Sequence, residues 1–278
     1  MKIAIVGLGL IGGSLAKAAK QHGEYCVYGL DIDPAVCRQA QHLQAIDREG
    51  QTDDLQNCEL VILALHPLAA EEWLRQNADK LRQGSLLVDC CGTKRRICEL
   101  GFSLAQRYGF YFIGGHPMAG IERSGFEASN ADLFKRAAMI LTPEEKCPTE
   151  VLEFAKNFFL GLGFNRITVT NAKDHDRIIA LTSQLAHVVS SSYLRSPTAA
   201  QHEGYSAGSF RDMTRVAWLH EGMWTELFLQ NSDFLCSEIE LLIANLRCFQ
   251  ELISQQQEEQ LRQHLKEGRL LKEKIMPI

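Results

Sequence analysis

The sequence predicts an α/β protein with a doubly wound, Rossmann-type parallel sheet followed by an all-helical domain. Three observations support this fold class. The short apolar run Ile3-Ala4-Ile5-Val6 leads directly into a glycine-rich turn and then into a helical pattern. Further apolar runs alternate with helical patterns as far as about residue 170. Beyond that point strand signals end and only long helical patterns remain, so we place the domain boundary there, giving domains 1–170 and 171–278.

The elements follow one another in a regular order. After the first run, strands are predicted at residues 27–30, 60–65, 86–89, 110–113, 138–142 and 166–169. In the first domain, helices are predicted from Pro67 to about Lys80 and over about 149–162. In the second domain, helices are predicted at about 174–194, 213–218, 224–249 and 254–274.

Composition excludes several classes of protein. The chain has 278 residues and a net charge of −5 without a basic stripe, which argues against a nucleic-acid partner. No membrane span and no signal-peptide pattern is visible, so we expect a cytoplasmic protein. The nine cysteines are scattered without a CxxC pair, and we expect reduced thiols and no metal site.

The glycine-rich turn has the pattern Gly7-x-Gly9-x-x-Gly12 between a strand and a helix. In this context the pattern is typical of a dinucleotide site. Gly7 allows a tight turn, Gly9 lets the backbone approach a pyrophosphate, and Gly12 permits close packing of the helix on the strand. The intervening Leu10 and Ile11 belong to the same predicted site, because their amides lie at the start of the helix.

Three further residues at strand ends complete the predicted cofactor site. Asp31 follows the second strand, where a carboxylate accepts hydrogen bonds from an adenosine ribose and repels a 2′-phosphate. The sequence therefore predicts NAD in preference to NADP. Ala64 leaves room for a nicotinamide ring, and Asp89 ends the strand at 86–89. The alternative is a structural glycine turn beside a surface aspartate.

The segment Gly114-Gly115-His116-Pro117-Met118-Ala119-Gly120 contains the candidate catalytic residue, His116. It follows an apolar run, and the paired glycines are predicted to end that strand. His116 would then lie at the carboxyl edge of the sheet, where ligands bind in open α/β folds. An imidazole exchanges protons near neutral pH, so it is a candidate acid or base. The alternative is a loop histidine bonded to its own turn.

Other polar residues are candidates for a substrate site. Thr93 lies in the loop after the strand at 86–89. Ser183 and His187 are four residues apart in a predicted helix and should share one face. Arg211 and Arg215 have the same spacing, and two guanidinium groups on one face suit a substrate that carries carboxylates. The alternatives are an interior histidine and solvated ion pairs.

The order of these motifs resembles the prephenate/arogenate dehydrogenase family of tyrosine biosynthesis over about residues 1–235. The resemblance implies NAD-dependent oxidative decarboxylation of prephenate or arogenate, with His116 accepting the proton of the ring hydroxyl. By the same match, Arg215 would hold a substrate carboxylate and Arg211 would assist at the side chain or the subunit boundary. Ser183 and His187 would line the cavity, and the helical domain would form a homodimer.

Three departures from the family pattern affect the expected hydrogen bonds. Gly92 stands where many members have a serine bonded to the catalytic histidine. The alternatives are that Thr93 replaces it, that a water replaces it, or that His116 is oriented differently. Ile121 stands where threonine is common. The pattern Ser-His-Leu-Pro-His is altered to Ser183-Gln184-Leu185-Ala186-His187.

Two other functions remain open at this stage. A two-domain dehydrogenase acting on a β-hydroxy acid would use a lysine on the first helix of the second domain, and Lys173 is the candidate. A dimer that binds NAD without turnover is the second alternative, and Gly92 and Ile121 motivate it. The sequence also leaves the choice between prephenate and arogenate open.

Overall fold

A computed structural model describes residues 1–276, so the last two residues of the predicted helical domain lie outside the described chain. The strands are β1 (Lys2–Val6), β2 (Cys26–Leu30), β3 (Arg48–Glu49), β4 (Leu60–Leu63), β5 (Leu86–Asp89), β6 (Tyr111–Pro117), β7 (Ala138–Pro143) and β8 (Arg166–Val169). They form one sheet in the order β3-β2-β1-β4-β5-β6-β7-β8.

Helices connect the strands and form the rest of the chain. They are α1 (Leu10–His22), α2 (Pro34–His42), α3 (Pro67–Asn77), α4 (Arg95–Tyr108), α5 (Thr149–Gly161), α6 (Ala172–Ile179), α7 (Ala186–Tyr193), α8 (Gly208–Thr214), α9 (Glu221–Gln230), α10 (Ser232–Ser254) and α11 (Glu258–Ile275). A π-helix, Ala180–Leu185, joins α6 to α7. No helix within residues 1–276 is both long enough and apolar enough to cross a bilayer.

The sheet is covered on both faces, which confirms the predicted doubly wound fold. Ile3 and Ile5 of β1 belong to one buried cluster, whereas Ala4 and Val6 belong to another. Successive side chains of a strand point to opposite faces of the sheet. A strand with consecutive apolar residues, such as β1, is therefore buried only if apolar side chains cover both faces. The strand order reverses between β1 and β4, and the crevice outside their carboxyl ends is the usual ligand site in such sheets.

Two features of the sheet differ from the sequence prediction. β7 pairs antiparallel with β6, because the connection between them contains only short 3₁₀ turns, at Phe126–Ala128 and Ala131–Phe134. Those turns lie against α1 and do not form the helical crossover that parallel neighbours require. β6 also continues through the two glycines, so His116 lies within the strand, opposite Ile140 of β7.

In the helical domain, the structure differs from the sequence prediction mainly where one helix meets the next. The helix predicted at 174–194 contains the π-helical segment, and the one predicted at 224–249 divides at Asn231 into α9 and α10. By contacts, the chain divides into a unit ending at Asn231 and a second unit starting at Ser232. This division falls later than residue 170, because α6 contacts α4 and α9 contacts α3, and both α3 and α4 belong to the sheet domain. Residue 170 marks instead where the strands end.

Candidate active site

The glycine turn after β1 needs two of its glycines for its own geometry. Gly7 has a φ of +85°, a conformation that favours glycine. A Cβ on Gly7 would lie 2.5 Å from the carbonyl oxygen of Ala64, and one on Gly12 would lie 1.8 Å from the carbonyl oxygen of Gly7. A Cβ on Gly9 would meet no atom of the described chain within 4 Å. Gly9 therefore faces open space and leaves the turn accessible to a ligand.

The start of α1 suits an anion. Gly9 is the N-cap and supplies no side-chain hydrogen bond, and the first turn of the helix contains no acidic residue. Leu10 and Ile11 of this turn are only partly buried. Backbone N–H groups and the positive end of the helix dipole therefore face the crevice, and these groups bind a pyrophosphate in dinucleotide sites. The residues present fit such a cofactor.

Asp31 lies beside this turn at the end of β2. One carboxylate oxygen accepts the N–H of Leu8 at 2.7 Å, and the other accepts the N–H of Asp33 at 3.0 Å. A carboxylate has about four acceptor positions, so capacity remains for ribose hydroxyls. Ala64 is half-buried at the end of β4, next to Gly7. The structure thus brings together the predicted glycines, Asp31 and Ala64.

Asp89, the other residue predicted at the cofactor site, has its carboxylate engaged in contacts within the protein. Its side chain is fully buried. Its two oxygens accept the N–H groups of Gly115 at 3.1 Å and Cys91 at 2.8 Å, and it forms an ion pair with the buried Lys94. The Lys94 ammonium also donates to the carbonyl oxygen of Gly115 at 2.6 Å. Asp89 and Lys94 therefore join β5 to β6 immediately before His116.

His116 is half-buried and is held by a second histidine. Its Nδ1 lies 2.9 Å from Nε2 of His175, which is on α6. Nδ1 of His175 in turn lies 2.8 Å from Oδ1 of Asp176. The three side chains form a linear series that runs from the protein interior to the carboxyl end of the sheet. Within the described chain, Nε2 of His116 has no hydrogen-bond partner.

Asp176 is anchored from both sides. Its carboxylate accepts the backbone N–H of Lys94 at 2.7 Å and that of Arg95 at 3.0 Å, which are the first amides of α4. The side-chain Nε of Arg95 also donates to it, at 3.1 Å. Asn231 donates to the backbone carbonyl of Asp176 at 2.8 Å. Asp176 therefore caps α4 and fixes α6 against it.

The electrostatics of the series keep both imidazoles neutral. Burial lowers the pKa of His116 well below its usual range, and the nearby His175 and Lys94 lower it further. Burial also lowers the pKa of His175, although the hydrogen bond to Asp176 acts in the opposite direction. Burial by itself would raise the pKa of Asp176, but the hydrogen bonds from His175 and from the backbone of Arg95 lower it. Asp176 is therefore a carboxylate at neutral pH.

Thr93, one of the alternatives left open by the sequence, makes its hydrogen bond elsewhere and not to His116. Its hydroxyl donates to the side-chain oxygen of Gln230 at 2.7 Å, and the residue is buried. The partner of His116 is His175 instead. Gly92 does lie next to the catalytic candidate, because a Cβ there would be 3.9 Å from Nε2 of His116. That Cβ would also lie 2.9 Å from Leu227, whose side chain occupies the space.

Ser183 and His187 are in contact, as their spacing predicts, but in a π-helical setting. Nδ1 of His187 lies 2.8 Å from the carbonyl oxygen of Ser183, so that ring nitrogen donates. The ring of His187 packs on Trp224 with centroids 3.8 Å apart. Burial lowers the pKa of His187, and the positive charge of Arg215 lowers it further. Ser183, His187 and Trp224 therefore lie together, and Arg215 is near enough for its positive charge to act on His187.

The two arginines do not share one helical face. α8 ends at Thr214, and Arg215 begins a 3₁₀ turn, so the helix stops between them. Arg215 approaches Glu122, in the loop after β6, at 4.0 Å, with both side chains exposed. Arg211 is exposed and forms no ion pair within residues 1–276. Neither guanidinium is buried in the monomer.

His175 and Asp176 are the site residues that the sequence analysis missed. Their signal was an adjacent His-Asp pair in the first helix of the second domain, beside the candidate Lys173. That lysine is exposed, whereas His175 and Asp176 are buried. No group of three or more metal-ligating side chains in residues 1–276 is arranged to hold a metal ion.

The fold and the site together define a two-part dinucleotide-binding protein with a histidine at the end of its central strands. The chain belongs to the prephenate dehydrogenase family: residues 15–168 match its nucleotide-binding domain, and residues 171–267 match its dimerization domain. This finding confirms the family resemblance predicted from the motifs.

Individual relatives agree with the family match. The chain is 34% identical to the prephenate dehydrogenase of Lactococcus lactis subsp. cremoris over 249 residues, covering 86% of this chain and 67% of that protein. It is 31% identical to the cyclohexadienyl dehydrogenase of Zymomonas mobilis over 278 residues, covering 96% and 93%. The structure of the Aquifex aeolicus prephenate dehydrogenase with hydroxyphenyl propionate and NAD+ has 29% identity and a TM-score of 0.84, covering 99% of this chain and 98% of that one.

Proposed function

We propose that this protein is an NAD-dependent dehydrogenase that oxidatively decarboxylates prephenate, giving 4-hydroxyphenylpyruvate, or arogenate, giving tyrosine. The observation that carries the proposal is the position of His116. Its Nε2, which has no hydrogen-bond partner among residues 1–276, lies at the carboxyl end of the sheet, beside the loop that follows β5. A free imidazole nitrogen at this edge is suited to accept the proton of a substrate hydroxyl.

The cofactor would be held by Gly7, Gly9, Gly12 and the first amides of α1, with Asp31 at the ribose. When bound, NAD+ supplies the hydride acceptor for the ring carbon that carries the hydroxyl. Asp31 repels the extra phosphate of NADP, which favours NAD. Related proteins, including the Aquifex aeolicus enzyme solved with NAD+, support this assignment.

The reaction requires few groups from the protein. As the hydroxyl proton moves to Nε2 of His116, the ring carbon would give up its hydride to the bound dinucleotide, the bond to the ring carboxylate would break, and carbon dioxide would leave. The electron pair of that bond completes the aromatic ring, and aromatisation supplies the driving force. The phenolate oxygen that results would take the proton back from His116 and become the phenol of the product. The protein therefore has mainly to orient the substrate and to accept one proton.

Substrate orientation is assigned to the region around His187. Arg215 would bind a substrate carboxylate, since a guanidinium forms paired hydrogen bonds with that group. Arg211, exposed and without an ion pair in the described chain, would assist at the substrate side chain or at a subunit boundary. Ser183 and His187 would line the cavity.

The helical domain is proposed to form a homodimer. The matched dimerization-domain family supports this, covering residues 171–267. α10 and α11 also expose large apolar side chains of the kind found in interfaces, among them Leu241, Leu246, Ile253, Leu265, Leu270 and Leu271. Sedimentation at micromolar concentration tests the dimer, and a monomer at every concentration would contradict it.

The function is tested by NADH formation with prephenate, with arogenate and with a β-hydroxy acid. We expect turnover with at least one of the first two substrates and none with the third. His116→Asn should lower kcat by about 10²–10⁴-fold, because a positioned base contributes about that factor. NAD binding, followed by calorimetry, should stay at the level of the unsubstituted protein.

His42→Asn is the matched control, because His42 is an exposed histidine at the end of α2. It should retain full activity. NAD binding without turnover on any substrate would favour the non-catalytic dimer. Turnover only with the β-hydroxy acid would replace the proposed reaction with the second alternative.

A further inference from the structure

In the hydrogen-bonded series Asp176–His175–His116, the Asp176 carboxylate determines which ring nitrogen of His116 carries the proton. The Asp176 carboxylate has no proton to give, and it accepts hydrogen bonds from two backbone amides as well. Nδ1 of His175, 2.8 Å from this carboxylate, must therefore carry a proton.

The tautomer of His175 in turn determines the tautomer of His116. A neutral imidazole has one N–H and one acceptor nitrogen. With its proton on Nδ1, His175 presents Nε2 as an acceptor, and Nδ1 of His116 lies 2.9 Å from it. Nδ1 of His116 must then donate, which leaves the lone pair on Nε2, the nitrogen nearest to Gly92.

We infer that His175 and Asp176 are positioning residues that hold His116 in the tautomer whose Nε2 is the free base. This inference rests on the function proposed above, in which Nε2 receives the hydroxyl proton. Neither residue touches the reacting atoms in this scheme. They select the tautomer before the reaction, and they stabilise the imidazolium once Nε2 has taken the proton.

The absence of a side chain at position 92 makes this role necessary. A serine there could hold the ring of His116 directly, but Gly92 offers no hydroxyl, and Leu227 fills the space beside it. The hydroxyl of Thr93 donates its hydrogen bond to Gln230 and not to His116. Within the described chain, the hydrogen bond to His175 is the only side-chain hydrogen bond that orients the His116 ring.

The charges around the series favour the same assignment. Lys94, the N-cap of α4, and Arg95, its first residue, each bond to a carboxylate: Lys94 to Asp89 of β5 and Arg95 to Asp176. Asn231 and Gln230, which approach from the end of α9, are neutral. With both cations paired and only Asp176 in contact with the histidines, two neutral imidazoles are the consistent protonation state.

The tautomer can be read directly by nitrogen NMR on protein labelled at its histidines. The two ring nitrogens differ in chemical shift according to whether they carry a proton, and His116→Asn identifies the signals of His116. We expect Nδ1 of His116 protonated and Nε2 unprotonated near neutral pH. A protonated Nε2 would overturn the inference, and this readout does not depend on which substrate is turned over.

A pair of substitutions at His175 tests the hydrogen bond itself. His175→Phe keeps a ring but removes the acceptor, and should lower kcat by about 10²-fold with KM changed by less than about threefold. His175→Gln retains an acceptor oxygen and should recover about tenfold of that loss. NAD affinity should be the same in both variants and in the parent.

The outcomes separate the two proposals. Wild-type kcat in a folded His175→Phe protein would contradict the positioning role, and so would equal losses in the phenylalanine and glutamine variants. If His175→Phe does not fold, the glutamine variant and the NMR of the parent still decide. Absence of turnover in the parent protein would contradict the proposed function, while the tautomer measurement would stand independently.

Discussion

Asp31 is the residue that we propose decides the choice between NAD and NADP. Its carboxylate is held by the amides of Leu8 and Asp33, so it cannot turn away from a ligand in the glycine turn. A carboxylate in that orientation accepts ribose hydroxyls and repels a phosphate at the same place. The proposed role of Asp31 is thus to hold the turn and to select the cofactor.

Asp31→Ser should therefore raise the ratio of kcat/KM with NADP to that with NAD by about tenfold, which corresponds to about 1.4 kcal/mol. Steady-state kinetics with each cofactor measure this ratio. Asp33→Asn is the control, because Asp33 is exposed and an asparagine can still cap α2. A parent protein that prefers NADP would contradict the assignment.

Arg215 is the residue at which substrate affinity is expected to be set. It lies near His187, whose pKa its charge lowers, and it approaches Glu122 at 4.0 Å. An exposed ion pair of this length contributes little to folding stability. The guanidinium is therefore free to bind a carboxylate at small cost to the fold.

Arg215→Ala should raise KM for prephenate by about 10- to 100-fold, with a smaller change in kcat, because a binding contact is lost while the base remains. Arg82→Ala is a matched control: Arg82 is also exposed and lies 3.9 Å from a glutamate, Glu59, at the other edge of the sheet. An unchanged KM in Arg215→Ala would remove this residue as the carboxylate ligand.

At the scale of elements, the turn between β1 and α1 depends on how closely its backbone segments approach. A Cβ on Gly12 would meet the carbonyl oxygen of Gly7 at 1.8 Å, so the helix would have to move. A Cβ on Gly9 would meet no described atom within 4 Å. Gly12 is therefore required for close packing within the turn, whereas Gly9 leaves space next to the turn.

Gly12→Ala should destabilise the protein by about 1–3 kcal/mol, because overpacking forces the backbone to shift. Gly9→Ala should leave the free energy of unfolding nearly unchanged and should weaken NAD binding at least about tenfold, because the new methyl group occupies the space that the pyrophosphate approaches. Denaturant unfolding and NAD titration measure the two effects. Equal stability losses in both variants would contradict this division of roles.

The joint between α6 and α7 is a second element that acts through its geometry. The π-helix Ala180–Leu185 changes the helical repeat, and its buried Gln184 bonds to the carbonyl oxygen of Leu227 and to Asn231. π-Helical segments are rare and occur frequently at functional sites. Here the segment is hydrogen-bonded to α9 through Gln184, and the carbonyl oxygen of its Ser183 accepts a hydrogen bond from His187 of α7.

At the scale of the whole molecule, three buried or half-buried histidines make stability depend on pH. Burial lowers the pKa of His116, His175 and His187. In the unfolded chain each has an ordinary pKa of about 6.5. Below that pH the unfolded chain binds protons that the folded chain excludes, so acidification favours unfolding.

The free energy of unfolding should therefore be nearly independent of these groups above about pH 7 and should fall as the pH drops from about 6.5 to 5.5. The slope should approach about 1.4 kcal/mol per pH unit for each histidine that stays neutral. Urea unfolding at constant protein concentration measures it, and His187→Gln should show a shallower slope. Stability that rises on acidification would contradict the assigned protonation states.

Much of this protein could be predicted from local patterns. The fold class follows from the alternation of strand and helix patterns, and the positions of the glycine turn, Asp31, Ala64 and His116 at strand ends follow from the spacing of residues within single motifs. Such features depend on residues that lie close together in the sequence, and the local backbone conformation is enough to fix their relative positions. The π-helix and the antiparallel return of β7 were not found, because each depends on what the segment packs against.

The site was predicted less completely than the fold. The sequence by itself determined that a dinucleotide turn and a histidine would meet at one sheet edge, because parallel strands end on the same side. Only the tertiary structure showed that Asp89 pairs with Lys94, that Thr93 bonds to Gln230, and that His116 is hydrogen-bonded to His175 and His175 to Asp176. These contacts join residues far apart in the chain, and burial decides whether a polar side chain faces a ligand or another side chain.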